Sequence, residues 1–260
     1  MSRSEIVTVG APSIETYVDG EGPAVVIIPS HGRDGGDDFE PFTAALVGAG
    51  YRVLRPQPRG IGKSTGPMAG VVLDDLGDDV GQVIDHLGDG PAAVLGHAVD
   101  NFVARTVATN QPEKVAAVIL AAAAGRTVPA EINSAPMRAG DLTLPDAERL
   151  AALRLAFFAP GHDASIWLTG WYPDTLTMQV ASVDGVDINR YWAAGTAPIF
   201  EIIAALDPFH QKNQWGDLRT HLGSRVTSTV IEDASHAMFP EQPAAVADAV
   251  IDYLLTLPRM

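Results

Sequence analysis

Apolar residues follow two alternating spacings along the chain. Short uninterrupted apolar runs, such as residues 24–28, are typical of strands that are buried on both faces. Apolar residues three and four positions apart, as in residues 73–87, predict amphipathic helices. The patterns predict an edge hairpin at residues 6–9 and 14–18, further strands at 24–28, 51–54, 92–95, 115–121, 199–206 and 226–231, and helices at 39–47, 73–87, 101–110, 217–222 and 246–255.

The alternation of strands and helices predicts a mostly parallel central sheet with helices on both faces. This rhythm stops after Gly125. Residues 126–196 contain helical stretches but no strand pattern, so we expect an inserted helical segment there. The core is then expected to comprise residues 1–125 and 197–260.

The composition is that of one α/β domain with an insertion. The chain has 260 residues, of which 47% are hydrophobic, and this is enough for a large core. Its net charge of −15 opposes binding to nucleic acid and to anionic membrane surfaces. The absence of cysteine excludes disulfides and zinc–thiolate sites. The sequence has no signal-peptide core and no apolar run that could cross a membrane, so we expect a soluble cytoplasmic protein, either a monomer or a homodimer.

Four motifs follow the predicted strands in a fixed order. Residues 29–32 (PSHG) come after the first buried strand, and residues 58–64 (PRGIGKS) come after the next. Residues 95–100 (LGHAVD) end the strand at 92–95, and Asp207 and His236 follow the last two strands. In this order and at these spacings, the motifs resemble those of the α/β-hydrolase fold superfamily.

This resemblance implies an α/β-hydrolase fold in which residues 126–196 form a helical cap. It also implies that residues 95–100 form the nucleophile elbow, where the superfamily has Gly-x-Ser-x-Gly. Ala98 stands at the nucleophile position, so the chain resembles the branch with Gly-His-Ala in place of Gly-His-Ser. His236 corresponds to the general base, and Asp207 to the acid that orients it.

The resemblance implies an oxyanion hole made by the backbone amides of Val99 and of His31 or Gly32. Asp100 stands where the superfamily has its second glycine. We expect its side chain to cap free amides at the start of the next helix, with a catalytic role as the alternative. Further candidates are the His31 side chain as a hydrogen-bond donor to substrate, Ser30, and the cap residues Trp167, Trp171 and Trp192.

A methyl group cannot attack a carbonyl, so Ala98 leaves four interpretations open. In the first, a serine has been removed from an ester or lactone hydrolase. In the second, alanine is native, and His236 with Asp207 provides general-base chemistry without a covalent intermediate. Such chemistry includes hydrolysis, lyase action and cofactor-free oxygenation. In the third interpretation another group attacks, such as Asp100, Ser30 or Ser235. In the fourth, the protein binds a small molecule and has no activity.

The favoured hypothesis is a hydrolase-like enzyme that acts on a small apolar carbonyl compound. The aromatic residues of the cap favour an apolar or aromatic substrate. A small-molecule substrate is the expected partner, and no cofactor is expected. No metal is expected either, because a solvated acidic loop explains His31, Asp34, Asp37 and Asp38 better than a metal site does.

Overall fold

The structure is a computed structural model that describes residues 3–8 and 10–258. Residue 9, at the end of the first predicted strand, lies outside the described residues. The strands are β1 (Arg3–Thr8), β2 (Ser13–Asp19), β3 (Ala24–Ile28), β4 (Arg52–Pro56), β5 (Ala92–His97), β6 (Val115–Ala121), β7 (Ile199–Ala204) and β8 (Val226–Ile231). The α-helices are α1 (Glu40–Gly48), α2 (Leu73–Leu87), α3 (Asn101–Asn110), α4 (Ala130–Asn133), α5 (Ala135–Gly140), α6 (Asp146–Ala156), α7 (Pro173–Val183), α8 (Asn189–Trp192), α9 (Asp217–Leu222), α10 (Met238–Glu241) and α11 (Pro243–Leu254).

The eight strands form one sheet in the order β1-β2-β4-β3-β5-β6-β7-β8. β1 pairs antiparallel with β2, and β2 pairs antiparallel with β4. All pairs from β4 to β8 are parallel. Both the edge hairpin and the mostly parallel sheet are therefore confirmed.

Helices cover both faces of the sheet, as the sequence predicts. Apolar residues of α2 and α3 pack on one face, among them Val80 and Val107. Apolar residues of α1 and α11 pack on the other, among them Phe42 and Val250. β3 and β5 are buried on both faces, since neither has an exposed residue, and this explains their continuous apolar sequences.

The predicted elements are present, but some of their ends differ from the prediction. The helix expected from residue 39 begins at Glu40, after a 3-10 turn at Asp37–Phe39. β7 ends at Ala204 rather than at Leu206, because the chain turns there and the amide of Asp207 donates to the Ala204 carbonyl. The turn leaves the Leu206 side chain half-exposed.

The segment between β6 and β7 (residues 122–198, hereafter the inserted segment) contains helices α4 to α8. Many of its apolar residues, such as Phe157, Trp167 and Trp171, form a cluster that also includes Phe209 and Ala237 from outside the segment. Backbone hydrogen bonds join the segment to loops at the carboxyl end of the sheet, among them one from the Gly125 amide to the Phe209 carbonyl (2.9 Å). The Tyr172 amide donates to the Gly32 carbonyl (2.9 Å), and the Ala237 amide donates to the Phe157 carbonyl (2.8 Å). The division into core and cap at residues 125 and 197 stays a prediction.

A buried ion pair fixes the loop after β4 on helix α2. The Arg59 guanidinium donates to both carboxylate oxygens of Asp79, at 2.7 and 2.9 Å. Arg59 also donates to the Pro67 carbonyl, which closes the loop over residues 58–67. Both charged side chains are largely removed from water, so the charge of each is stabilised mainly by the opposite charge of the other.

We expect Asp79→Ala to lower the free energy of unfolding by about 3 kcal/mol, because it leaves the Arg59 guanidinium buried without its carboxylate. The matched control is Asp248→Ala on the exposed side of α11, which should change stability by less than about 0.5 kcal/mol. Urea unfolding followed by far-UV circular dichroism measures both variants. Equal losses in the two variants would contradict the structural role of the ion pair.

Candidate active site

The turn between β5 and α3 has the geometry of a strained elbow. Ala98 has a φ of 56°, a left-handed conformation that costs a non-glycine residue about 1–2 kcal/mol. The two elements are pressed together just before the apex. A Cβ atom built on Gly96 would lie 2.5 Å from the Cα atom of Asn101, so only glycine fits there. The methyl group of Ala98 is buried at the apex of this turn.

His97 ties the elbow to the loop that follows β8. Its Nε2 lies 2.8 Å from the backbone carbonyl oxygen of His236. Burial lowers the pKa of His97 to about 3, so the ring is neutral and Nε2 carries the proton that it donates. This hydrogen bond holds His236 beside the residue that precedes Ala98.

His236 and Asp207 form a buried hydrogen-bonded pair. Nδ1 of His236 lies 2.9 Å from Oδ2 of Asp207, while Oδ1 of Asp207 accepts the Phe209 amide at 2.9 Å. Because a carboxylate only accepts, Nδ1 carries the proton and Nε2 presents a lone pair. No group within residues 3–8 and 10–258 hydrogen-bonds to Nε2. The pair can therefore take up a proton at that atom.

A second polar group lies beside the elbow. Oδ1 of Asp100 is 3.7 Å from Nε2 of His31 and 3.5 Å from Nε2 of Gln179, a residue of α7. Oε1 of Gln179 accepts the Gly32 amide at 2.7 Å. Burial raises the pKa of Asp100 well above its ordinary value and lowers the pKa of His31 to about 4. Burial thus favours the neutral form of both side chains.

The prediction that Asp100 caps helix α3 is wrong. Its side chain makes no capping hydrogen bond, and its backbone has helical dihedral angles (φ −68°, ψ −1°). A capping side chain needs the extended backbone that turns it toward free amides. The 3-10 turn at Ala98–Asp100 instead directs the carboxyl group toward His31 and Gln179.

Sequence and structure comparisons agree with this geometry. A family profile described as alpha/beta hydrolase fold matches residues 23–217, three quarters of the chain. The chain belongs to the α/β hydrolase family. The fold predicted from the sequence is thereby confirmed, whereas membership of the Gly-His-Ala branch stays a prediction. A comparison with curated protein sequences finds no match.

Solved structures of other α/β hydrolases are similar over nearly the whole length of the chain. Rv0554 from Mycobacterium tuberculosis is 24% identical with a TM-score of 0.78, over 95% of this chain and 94% of that one. The esterase EaEST from Exiguobacterium antarcticum is 19% identical with a TM-score of 0.81, over 98% and 100%. The putative non-heme bromoperoxidase BpoC from M. tuberculosis is 24% identical with a TM-score of 0.76, over 94% and 96%. At these identities the likeness concerns the fold.

Aromatic residues surround His236, and they come both from the loop after β7 and from the inserted segment. The Phe209 ring centroid lies 4.2 Å from that of His236, and the Phe157 centroid lies 5.5 Å from it. Trp167 and Trp171 pack against Phe157 and so form a second layer behind it. Sequence reasoning missed both phenylalanines, which carry no motif.

Trp192 lies apart from that layer. Its ring is held between the guanidinium groups of Arg105 and Arg126, each 4.6 Å from the ring centroid. Arg105 also donates to the Trp192 carbonyl and to Oδ1 of Asn101, whose Nδ2 donates to the carbonyl of Ala98. Of the three tryptophans, Trp192 is thus connected to the backbone of the elbow rather than to the surroundings of His236.

The other candidate nucleophiles differ in their surroundings. The Ser235 hydroxyl donates to the Leu206 carbonyl at 3.2 Å, and the Ser235 amide donates to Oε2 of Glu241 at 2.6 Å. Oε1 of Glu241 accepts the Ala159 amide of the inserted segment, so this carboxyl group joins the His236 loop to that segment. Ser30 is buried in the loop that follows β3 (residues 29–32), where an oxyanion loop is expected. Sequence reasoning missed Glu241 as well as Gln179, since neither belongs to a motif.

Two searches of the described residues gave no site. No group of three or more His, Asp or Glu side chains there could hold a metal ion, and this includes the acidic loop at residues 34–38. Nor does any helix in the described part of the chain have the length and apolarity needed to cross a membrane.

The strain at the elbow predicts an unequal response to two alanine-to-glycine substitutions. Ala98→Gly and Ala104→Gly each remove one buried methyl group, and both raise the conformational entropy of the unfolded chain by the same amount. Of the two alanines, only Ala98 has a positive φ. We expect Ala98→Gly to be at least about 1 kcal/mol more stable than Ala104→Gly. Thermal and urea unfolding of the two variants check this, and equal stabilities would mean that the turn is relaxed.

The neutral state of Asp100 predicts a pH-dependent effect of Asp100→Asn. Above about pH 4, Asp100 loses its proton in the unfolded chain but keeps it in the folded protein, so the free energy of unfolding of wild type falls as the pH rises. Asparagine does not titrate, so the variant lacks this decrease. We expect its stability relative to wild type to increase with pH above about pH 4, by at most about 1.4 kcal/mol per pH unit, until folded Asp100 ionises.

Urea unfolding at pH 5 and pH 8 measures this difference for Asp100→Asn. Exposed Asp248→Asn is the control and should show no such dependence on pH. A difference between Asp100→Asn and wild type that is the same at both pH values would mean that Asp100 is ionised in the folded protein.

Proposed function

We propose that this protein hydrolyses small, uncharged, apolar esters or lactones by direct attack of water that His236 activates. The observation that carries the proposal is the buried hydrogen bond between His236 and Asp207 beside an elbow whose apex is Ala98. A base and the acid that orients it are both present. The group that would form a covalent intermediate is not, since Ala98 ends in a methyl group.

In the proposed reaction, Nε2 of His236 takes a proton from water while the water oxygen bonds to the substrate carbonyl carbon. Asp207 stabilises the imidazolium that forms. The carbonyl oxygen becomes an oxyanion, which the amides of Val99 and His31 would bind, since the Gly32 amide donates to Gln179. Nε2 then gives its proton to the leaving oxygen as the carbon–oxygen bond breaks. An ester yields an acid and an alcohol, and a lactone yields a hydroxy acid.

Three features support an uncharged and apolar substrate. Aromatic rings surround His236, with Phe209 and Phe157 nearest to it. Burial favours the neutral forms of His31 and Asp100, the polar side chains on the other side of the elbow, and this disfavours an ionic substrate group there. The strongly acidic surface adds repulsion toward anionic substrates.

The alternative of another nucleophile has less support. A carboxyl group that keeps its proton is a poor nucleophile, and the pKa of Asp100 is raised well above its ordinary value. The hydroxyl group of Ser235 is engaged with the Leu206 carbonyl. We therefore assign the attack to water.

Introducing a hydroxyl group at position 98 tests whether His236 acts as a base and whether the elbow holds a nucleophile next to it. We expect Ala98→Ser to form an acyl adduct with p-nitrophenyl butyrate, because the elbow would present the new hydroxyl to His236. Wild type should turn over the ester without an adduct. His236→Gln should lower wild-type kcat/KM at least 100-fold and remove the adduct from Ala98→Ser. Intact-mass spectrometry and initial rates measure these effects.

The matched control is His86→Gln, since His86 is exposed on α2 and bonds only to the Gln82 carbonyl. It should leave both rate and adduct unchanged. An acyl adduct on wild type would overturn direct attack by water. Undiminished hydrolysis in His236→Gln would overturn the assignment of the base.

A further inference from the structure

The side chain of Gln179 reaches from helix α7 into a buried polar position next to the elbow. Its carbonyl oxygen accepts the Gly32 amide at 2.7 Å, and its nitrogen lies 3.5 Å from Oδ1 of Asp100. Gln179 and Asp100 are buried, as is His31, whose Nε2 lies 3.7 Å from Oδ1 of Asp100. One end of the position thus supplies a donor and the other an acceptor, the arrangement that a carboxamide group satisfies.

The position has one polar atom that Gln179 does not satisfy. Oδ2 of Asp100 is buried and has no hydrogen-bond partner among the described residues. Asp100 and Gln179 both line a cavity of about 40 Å³, whose other walls include Ile28 and Val103. This volume exceeds what one water needs, and a neutral carboxyl group can donate as well as accept there. An unsatisfied buried polar atom beside free space marks a place for a ligand group.

The oxyanion loop does not depend on Gln179 for its attachment to α7. The Gly32 carbonyl accepts the Tyr172 amide at 2.9 Å. A Cβ atom on Gly32, which has a φ of +68°, would lie 2.7 Å from Cβ of Leu176, so glycine and helix are in close contact. The Thr175 hydroxyl also donates to the Arg59 carbonyl. The side chain of Gln179 can therefore leave while these contacts hold the backbone in place.

We propose that Asp100, His31 and the Gly32 amide form a binding subsite for a small neutral carboxamide, which the Gln179 side chain fills in this structure. A carboxylate lacks the N–H that would donate to Asp100, and a charged group has no counter-ion there. A ligand of this class takes over the two hydrogen bonds of Gln179 and adds one to Oδ2 of Asp100. Selection of substrates that carry a carboxamide group rests on the proposed function. Binding of a carboxamide to the subsite does not depend on it.

Acetamide titrated into 15N-labelled Gln179→Ala tests the subsite, with the Gly32 amide resonance as the readout. Removing Gln179 beyond Cβ leaves the Gly32 amide without its acceptor, so its proton resonance should move upfield. Acetamide should return it toward the wild-type position with a millimolar dissociation constant, as the small size of the ligand dictates. Acetate should not. Wild type should respond to acetamide with a larger dissociation constant, because the ligand has to displace the Gln179 side chain, and should not respond to acetate.

The matched control is Gln179→Leu, which keeps about the same volume without the amide and should not respond to acetamide. Gln179→Ser replaces the alanine variant if that variant does not fold, with the same expected response. An unmoved Gly32 resonance, an equal effect of acetate, or an equal response of Gln179→Leu would overturn the proposal.

The same titration in the Gln179→Ala, His236→Gln double variant separates this inference from the proposed function. His236→Gln removes the proposed base but none of the subsite groups. Acetamide should bind the double variant as it binds Gln179→Ala. Binding that persists while hydrolysis is absent would leave the subsite standing even if the proposed reaction were wrong. Loss of binding in the double variant would count against the subsite.

Discussion

The left-handed turn at Ala98 is the constraint on which this site depends. It joins β5 to α3 so closely that Gly96 has no space for a Cβ atom. The turn brings His97 against the His236 loop and directs Asp100 toward the oxyanion loop. A chain with alanine at the apex keeps this strain although it has no hydroxyl to present. What the strain maintains here is the placement of the neighbouring backbone and side chains.

The elbow separates two polar groups of different character. On one side, His236 and Asp207 form a pair that can accept a proton, with aromatic rings around it. On the other, burial favours the neutral forms of Asp100 and His31. Negative charge that develops on a substrate carbonyl oxygen near Asp100 and His31 would not be opposed by a carboxylate there, because burial favours the neutral form of Asp100. The missing nucleophile therefore does not leave the site without chemical capacity.

Much of the fold was predictable because strands and helices have repeating patterns of burial. β3 and β5 are continuous apolar runs, and the ends of most elements lie within two residues of prediction. The contact between Asp207 and His236 followed from a resemblance that places both after strands at one sheet edge. Gln179 had no such signal, since its bond to Gly32 joins positions 147 residues apart without any pattern. Asp100 was misjudged because a local rule for helix starts assumed an extended backbone that the 3-10 turn does not provide.

Two of the contacts that fasten the inserted segment to the rest of the protein hold backbone carbonyls beside the site. Near its end, Trp192 is linked through Arg105 and Asn101 to the carbonyl of Ala98. Near its middle, Tyr172 holds the carbonyl of Gly32. Lifting the segment as a rigid lid would therefore pull on both the apex of the turn and the loop opposite it. Molecules are better admitted by rotation of single side chains, which leaves the two anchored carbonyls where they are.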